Sequence, residues 1–310
     1  MHNARMSHAQ RAQTPGNSCI VQAYAKINLT LDVLGRRDDG YHALATVMQT
    51  IDLHDTIYLS IIDNDAVQLF CTVPELNNSE NLAGRAAQLL RQQLGLTQGV
   101  MIEVHKRIPV AAGLGGGSSD AAAILLALKR WWQLSLSPSD LLDLAASLGS
   151  DVPFFLIGGL ALCEGRGERI TSLAPYWPGA MSWLLLLKPA ISISTAAIFR
   201  SLPTKDYTDG RYSRAVCSAL LVGKVPEVED LHNSLERGVL EAYPEVAQAR
   251  DDLLQAGASL VRLSGSGPTL FAPFAEHADA TRVQELLQGK GYEVYLSRAI
   301  HPHAGSVSFF

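Results

Sequence analysis

The stretch Pro109-Val110-Ala111-Ala112-Gly113-Leu114-Gly115-Gly116-Gly117-Ser118-Ser119-Asp120 carries the densest chemistry in the chain. Four of the five residues from Gly113 to Gly117 are glycine, and two hydroxyls follow. Glycines admit φ > 0 and let a backbone approach a ligand closely. Successive N–H groups can then converge on one point at a helix start, where the helix dipole adds positive potential. That arrangement holds phosphate. It is neither the Walker pattern, which needs a lysine after its last glycine, nor the dinucleotide fingerprint, whose third glycine is replaced by Ser118. A flexible turn followed by a Ser or Asp N-cap is the plainer alternative, at an entropic cost that four glycines make large.

Two further side chains have chemistry to offer. Lys26 stands among apolar strand residues, either snorkelling from a strand edge or stabilising a phosphoryl group and an attacking hydroxyl. Asp151 follows Gly149 and precedes Val152-Pro153, the place of an N-cap before a proline-led helix. A cap and a catalytic base are compatible, because a cap fixes the carboxylate in place.

The elements that must position these residues are legible in outline. Cys19–Leu34 alternates loosely and reads as a strand ending at Gly35, and Tyr41 to Asp65 holds further short β-branched runs. Leu82, Ala86, Leu89, Leu90 and Leu94 recur at helical spacing after a Ser79/Asn81 start. Val100–Ile108 reads as a half-buried strand feeding the glycine loop, and Ser118–Trp132 as the helix leaving it. Ser139–Leu148 is a short helix between Pro138 and Gly149. In the second half, helices over Ser194–Arg200, Pro244–Gln255 and Ala280–Gly289 alternate with strands over Trp183–Leu187, Ser259–Leu263, Thr269–Phe274 and Val294–Ser297. The expected fold class is a two-domain α+β protein, with the proline-bearing stretch Ser172–Gly179 as the junction.

Composition narrows the function. The 310 residues carry 25 Lys+Arg against 30 Asp+Glu, a net charge of −5, which offers no basic footprint for nucleic acid. Hydrophobic residues make up 47% and charged residues 18%, as in a packed globular body. Cys19, Cys71, Cys163 and Cys217 form no C-x-x-C pair, which excludes the common zinc and redox motifs and fits a reducing compartment. The longest apolar stretch, Pro153 to Cys163, is far short of the roughly 20 residues of a membrane span. The first 18 residues lack the apolar block of a secretory signal, so the expected location is the cytoplasm. His301-Pro302-His303 reads as an exposed terminus rather than a metal site.

The glycine loop resembles the ATP loop of the GHMP kinase superfamily. Four more stretches resemble segments of one branch of that family, in the same order. They are Ala23–Leu29 (A-x-A-K-I-N-L), Arg36–His42 (R-x-D-G-Y-H), Gly149–Phe155 (G-S-D-V-P-F-F) and Arg262–Thr269 (L-S-G-S-G). Together the matches run from Ala23 to Thr269, most of the chain.

The resemblance implies a GHMP-kinase fold. An N-terminal ribosomal-protein-S5-like domain would span 19–175 and bind ATP, and a C-terminal ferredoxin-like α/β sandwich would span 176–310. The active site would lie in the cleft between them; residues 1–18, which the resemblance does not reach, are expected from their own composition to be a disordered extension. It implies ATP-dependent phosphorylation of a hydroxyl on a cytidine-diphosphate-linked polyol in non-mevalonate isoprenoid synthesis. Asp151 is implied as the base and Lys26 as the stabilising cation. Asn81, Lys106 and the loop residues Pro109 to Ser119 are implied to hold ATP, with Mg²⁺ bridging its β- and γ-phosphates. Tyr41 and Phe199 would enclose cytosine and His42 would hydrogen-bond it. Asn28 and Thr195 would touch the polyol, with Gly265 and Ser266 near the phosphates and substrate. Alternatives are another small-molecule kinase of the family, of homoserine or mevalonate type, and a silent nucleotide-binding regulator. One departure is Ser234, where relatives often have Asp. Monomer and homodimer both stay open, and no macromolecular partner is indicated.

Overall fold

Strand β3 (His42–Ile62) organises the chain, pairing along both of its edges. The computed structural model describes residues 18–173, 177–300 and 307–309. On one edge β3 meets β1 (Ser18–Asn28) and β2 (Asp32–Arg36), both antiparallel. On the other it meets β5 (Gly99–His105) near one end and β6 (Leu160–Gly165) near the other. β4 (Val67–Cys71) runs parallel to β5, and β7 (Arg169–Ser172) extends β6. Continuous partners explain why the short β-branched runs expected between Tyr41 and Asp65 merge into a single strand.

Helices α1 (Leu82–Leu94), α2 (Gly116–Trp131), α3 (Pro138–Leu148) and α4 (Val152–Ile157) belong to this half. Asn81 caps α1, its side chain accepting from the Ala83 N–H, and Gly95 closes the helix in the left-handed region. Ser137 and Asp140 form a capping box on α3 with Pro138 in the first turn. α2 is buried on most of its circumference from Ala121 to Leu128, which is why its sequence is apolar all round.

The second sheet has the order β11-β8-β10-β9, all antiparallel: β8 (Trp183–Lys188), β9 (Arg262–Leu263), β10 (Leu270–Phe274) and β11 (Glu293–Ser297). Its apolar core includes residues of α5 (Thr195–Ser201), α7 (Glu236–Ala242), α8 (Pro244–Gln255) and α9 (His277–Leu287). α6 (Arg211–Leu221) packs against β2 and β3. The two halves share an apolar cluster that joins Ile27 and Val47 to Leu186 and Phe271. β12 (Val307–Phe309) returns to the first sheet beside β1, so a division at 175/176 does not describe the last residues. The junction position itself, with residues 174–176, lies outside the described residues, as do residues 1–17 and 301–306. Ser18, placed in the extension by sequence, is the first residue of β1.

The continuous strand expected over Cys19–Leu34 is broken between Asn28 and Asp32. There the chain turns to the second half: the Leu31 N–H donates to the His232 carbonyl and the Ser234 N–H to the Leu31 carbonyl, both at 2.8 Å. Ser234 is buried, and its hydroxyl accepts from the Val33 N–H at 3.2 Å. The departure from the family pattern is thus a backbone anchor and not a cavity residue. The strand expected over Ser259–Leu263 shrinks to Arg262–Leu263, where alone it meets β10.

Candidate active site

A cavity of about 1030 Å³ lies beside the glycine loop and is lined from both halves of the chain. The loop's shape follows from its glycines. Gly113 and Gly115 have φ of +74° and +73°. A Cβ on Gly113 would sit 2.2 Å from the Ser264 carbonyl oxygen, and one on Gly115 2.7 Å from the Phe155 ring. The loop is therefore wedged between the Ser264 turn and α4, and no larger residue fits. α2 begins at Gly116, two residues earlier than expected, so its first-turn N–H groups fall inside the glycine run.

Of the loop residues expected to hold ATP, Pro109, Val110, Ala111, Ala112, Gly113, Gly115, Gly116, Gly117 and Ser118 line the cavity. Leu114 and Ser119 do not. Leu114 is buried in the core, and its carbonyl accepts the Lys26 N–H at 3.0 Å. Ser119 is buried too, its hydroxyl donating to the Tyr24 carbonyl at 2.6 Å. Of the two hydroxyls at the helix start, Ser118 is the one facing the cavity.

Lys26 reaches the cavity because β1 bulges between Tyr24 and Lys26, re-aiming the side chain. Its ammonium donates to Asn28 Oδ1 at 2.6 Å and to the Gly113 carbonyl at 2.9 Å. It lies 3.6 Å from Asp151 Oδ2. Lys26 is 3% exposed, and this burial pulls its pKa below the ordinary lysine value, with Asp151 partly offsetting the shift. Asp151 stands at the N-cap position of α4, yet its side chain makes no capping bond. The cap expected from sequence is absent because the carboxylate turns to Lys26.

The Asn28 Nδ2 donates to Thr46 Oγ1 at 2.8 Å, which fixes the amide so that its oxygen faces Lys26. The Gly113 carbonyl also accepts from Ser264 Oγ at 3.1 Å. Thr195 Oγ1 and Ser266 Oγ share a hydrogen bond of 2.7 Å across the cavity wall, beside Gly265. At the far end, His42 and Phe199 have ring centroids 5.3 Å apart, and the Tyr207 hydroxyl lies 3.2 Å from His42 Nε2. Burial, and then Arg36, hold the His42 pKa below 6.5. Tyr41 is 53% exposed with the Arg166 guanidinium 5.0 Å above its ring. All seven residues expected at the acceptor end (Asn28, Tyr41, His42, Thr195, Phe199, Gly265 and Ser266) line this cavity.

Asn81 and Lys106 line it too, but each is engaged within the protein. The Asn81 amide caps α1 and donates to the Leu76 carbonyl at 3.0 Å. The Lys106 ammonium is paired with the buried carboxylates of Asp55 and Asp120. Burial works to lower the Lys106 pKa, and the two carboxylates outweigh it and raise it. Burial raises that of Asp120, with Lys106 opposing and Asp55 reinforcing. Asp55 also accepts the N–H groups of Arg107 and Ile108 at 2.6 and 2.8 Å, pinning the strand end that feeds the glycine loop. Sequence reasoning missed Asp55, Asp120, Arg166, Tyr207 and Ser264. Asp120 was within the quoted loop, and an acid opening an otherwise apolar helix was a signal.

The site has the parts for phosphoryl transfer: a backbone cradle for an anion, an unbonded carboxylate edge and a buried ammonium beside it. Among the described residues no group of three or more His, Cys, Asp or Glu is placed to hold a metal ion, and no helix is long and apolar enough to cross a membrane.

Known proteins resemble this chain in sequence and in fold. The family model for the GHMP kinases N terminal domain matches residues 81–159, and that for the GHMP kinases C terminal domain matches residues 219–293. The chain is 42% identical over 282 residues to a 4-diphosphocytidyl-2-C-methyl-D-erythritol kinase of Pelotomaculum thermopropionicum, covering 90% of this chain and 97% of that one. It is 41% identical to the protein of the same name from Listeria monocytogenes, covering 90% and 95%. A crystal structure of 4-(cytidine 5'-diphospho)-2C-methyl-D-erythritol kinase superposes with a TM-score of 0.76 at 35% identity, over 91% of this chain and all of that one. A homoserine kinase from Cytophaga hutchinsonii superposes with a TM-score of 0.75 at 19% identity, over 98% and 100%, a likeness of fold.

Proposed function

The chain belongs to the GHMP kinases, which are ATP-dependent, and from that premise we propose that it transfers the γ-phosphoryl group of ATP to the 2-hydroxyl of 4-diphosphocytidyl-2-C-methyl-D-erythritol, a step of non-mevalonate isoprenoid synthesis. The observation that carries the reading is the Lys26–Asp151 pair, 3.6 Å apart between the glycine loop and the Tyr41–His42–Phe199 end. Asp151 Oδ2 accepts the proton of the 2-hydroxyl as the oxygen attacks. Lys26, held by Asn28 and Gly113, orients that hydroxyl and offsets charge on the transferring group. The Gly113–Gly117 backbone and the α2 N-terminus hold the phosphates. Positioning and fixed charge are most of what phosphoryl transfer asks of a protein.

Mg²⁺ fits this site: Ser118 and Asp151, which line the cavity beside the glycine loop, are the protein oxygens that would help hold it together with phosphate oxygens and water. When bound it neutralises charge on the β- and γ-phosphates. Tyr41 and Phe199 enclose the cytosine, His42 hydrogen-bonds it, and Asn28, Thr195, Gly265 and Ser266 contact the polyol side. The same reading divides the chain near 175/176 into an ATP-binding unit and a second unit, with β12 returning to the sheet of the first. A cytoplasmic location is supported by four free thiols.

Incubation with ATP, Mg²⁺ and 4-diphosphocytidyl-2-C-methyl-D-erythritol is expected to yield ADP and the 2-phosphate. ADP formed only with homoserine or mevalonate would overturn the substrate. Those acceptors leave Tyr41, His42 and Phe199 with no base to enclose. No ADP with any acceptor would leave a nucleotide-binding regulator.

A further inference from the structure

Arg166 has no part in the chemistry described so far, yet it lies between the two ends of the acceptor cavity. It occupies the turn joining β6 to β7 and lines the cavity. Its guanidinium stands 5.0 Å over the Tyr41 ring. Its own N–H donates to Glu168 Oε2 at 2.5 Å, and the Gly167 N–H donates to the Glu164 carbonyl at 3.0 Å, so the turn is braced. The next residue abuts the catalytic segment: a Cβ on Gly167 would lie 3.4 Å from the Ser150 carbonyl oxygen and 3.9 Å from Asp151 Oδ1. Arg166 thus starts beside the proposed base and ends over the proposed cytosine-stacking ring.

We propose that Arg166 binds the diphosphate of the acceptor, bridging the cytosine subsite at Tyr41 and the reaction centre at Asp151. The proposal rests on the functional reading above. An acceptor with its base at Tyr41 and its hydroxyl at Asp151 must lay the linking diphosphate along the wall between them, where Arg166 stands. Guanidinium is suited to the task, since its planar fork matches two phosphate oxygens and its face stacks on an aromatic ring. Among the described residues the Arg166 guanidinium joins no ion pair and rests only on the Tyr41 ring at the cavity wall. Asp39 senses its charge from a distance but is itself bound to Arg37. Lys26 is held at the reaction centre by Asn28, Gly113 and Asp151, away from the Tyr41 end. Arg36 and Arg200 also line the cavity, but both are exposed and neither is braced over Tyr41.

The test compares wild type, Arg166→Ala and Arg166→Lys by steady-state kinetics and by inhibition with two probes, cytidine 5'-diphosphate and cytidine. Arg166→Ala is expected to raise KM for the acceptor about tenfold, with KM for ATP unchanged and kcat altered less. Its inhibition constant for cytidine 5'-diphosphate should rise by a similar factor, while that for cytidine stays within about twofold. Arg166→Lys should recover part of the loss, because it keeps the charge and loses the fork. Equal weakening of both probes would overturn the proposal, leaving Arg166 as a support for Tyr41 only. Unchanged constants for both would overturn it as well. Failure of the wild-type enzyme to turn over the acceptor would instead sink the functional reading, and this proposal with it.

Discussion

The Lys26 ammonium lies 3.6 Å from Asp151 Oδ2 while donating to Asn28 Oδ1 and to the Gly113 carbonyl. The carboxylate is thereby held near a cation without a short hydrogen bond that would occupy it, and it remains free to take a substrate proton. Asp151→Asn removes the acceptor and keeps the shape. It is expected to lower kcat by about 10² to 10⁴ with KM for ATP nearly unchanged. Turnover close to wild type in that variant would remove Asp151 from the reaction.

Lys106 holds two buried carboxylates, Asp55 and Asp120, and Asp55 in turn holds the backbone leading into the glycine loop. Lys106→Met leaves two buried acids with no cation and should cost about 3–5 kcal/mol of stability in urea unfolding. A loss well under 1 kcal/mol would mean that the acids find other partners.

The same cluster sets a pH dependence. The Asp120 pKa is raised from 3.8 to about 7, chiefly by burial. Between those values the folded protein binds more protons than the unfolded chain, so stability should fall as pH rises across that window. Asp120→Asn is expected to flatten this decline in thermal unfolding between pH 4 and 7. A slope unchanged in the variant would assign the decline to another group.

Tyr207 touches His42 Nε2 through its hydroxyl and meets the imidazole edge-on at a centroid separation of 5.9 Å. It sets the orientation of the ring proposed to meet cytosine. Tyr207→Phe should raise KM for the acceptor about three- to tenfold while kcat and KM for ATP hold. Burial lowers the His42 pKa from its ordinary value, so any change of wild-type KM for the acceptor that His42→Gln abolishes should fall on the acid side of pH 6.5. A His42-dependent change centred above pH 6.5 would contradict this.

The parts of the fold and site that sequence displays are those written in adjacent residues. The glycine loop, the Asn81 cap and the Pro244–Gln255 helix each depend on neighbours a few positions away, and each was read with little error. Tertiary pairing is a different matter. Lys106 meets Asp55 across 51 positions, and Tyr207 meets His42 across 165. No local spacing encodes such encounters. Asp151 shows the limit most plainly: its surroundings spell a helix cap, and only the fold brings Lys26 close enough to claim the carboxylate instead.

β3 begins at His42, carries Thr46 and continues through Asp55, so one unbroken strand supports both the proposed base-binding end and the anchor of the glycine loop. Pairing on both edges resists slippage, since a one-residue shift would reverse every side chain between core and cavity. The cavity therefore works as a gauge. An acceptor seated at the base end presents its hydroxyl to Asp151 only if the intervening chain has the right span. Discrimination among acceptors would then arise from reach, and a shorter cytidylyl compound should bind well and react poorly.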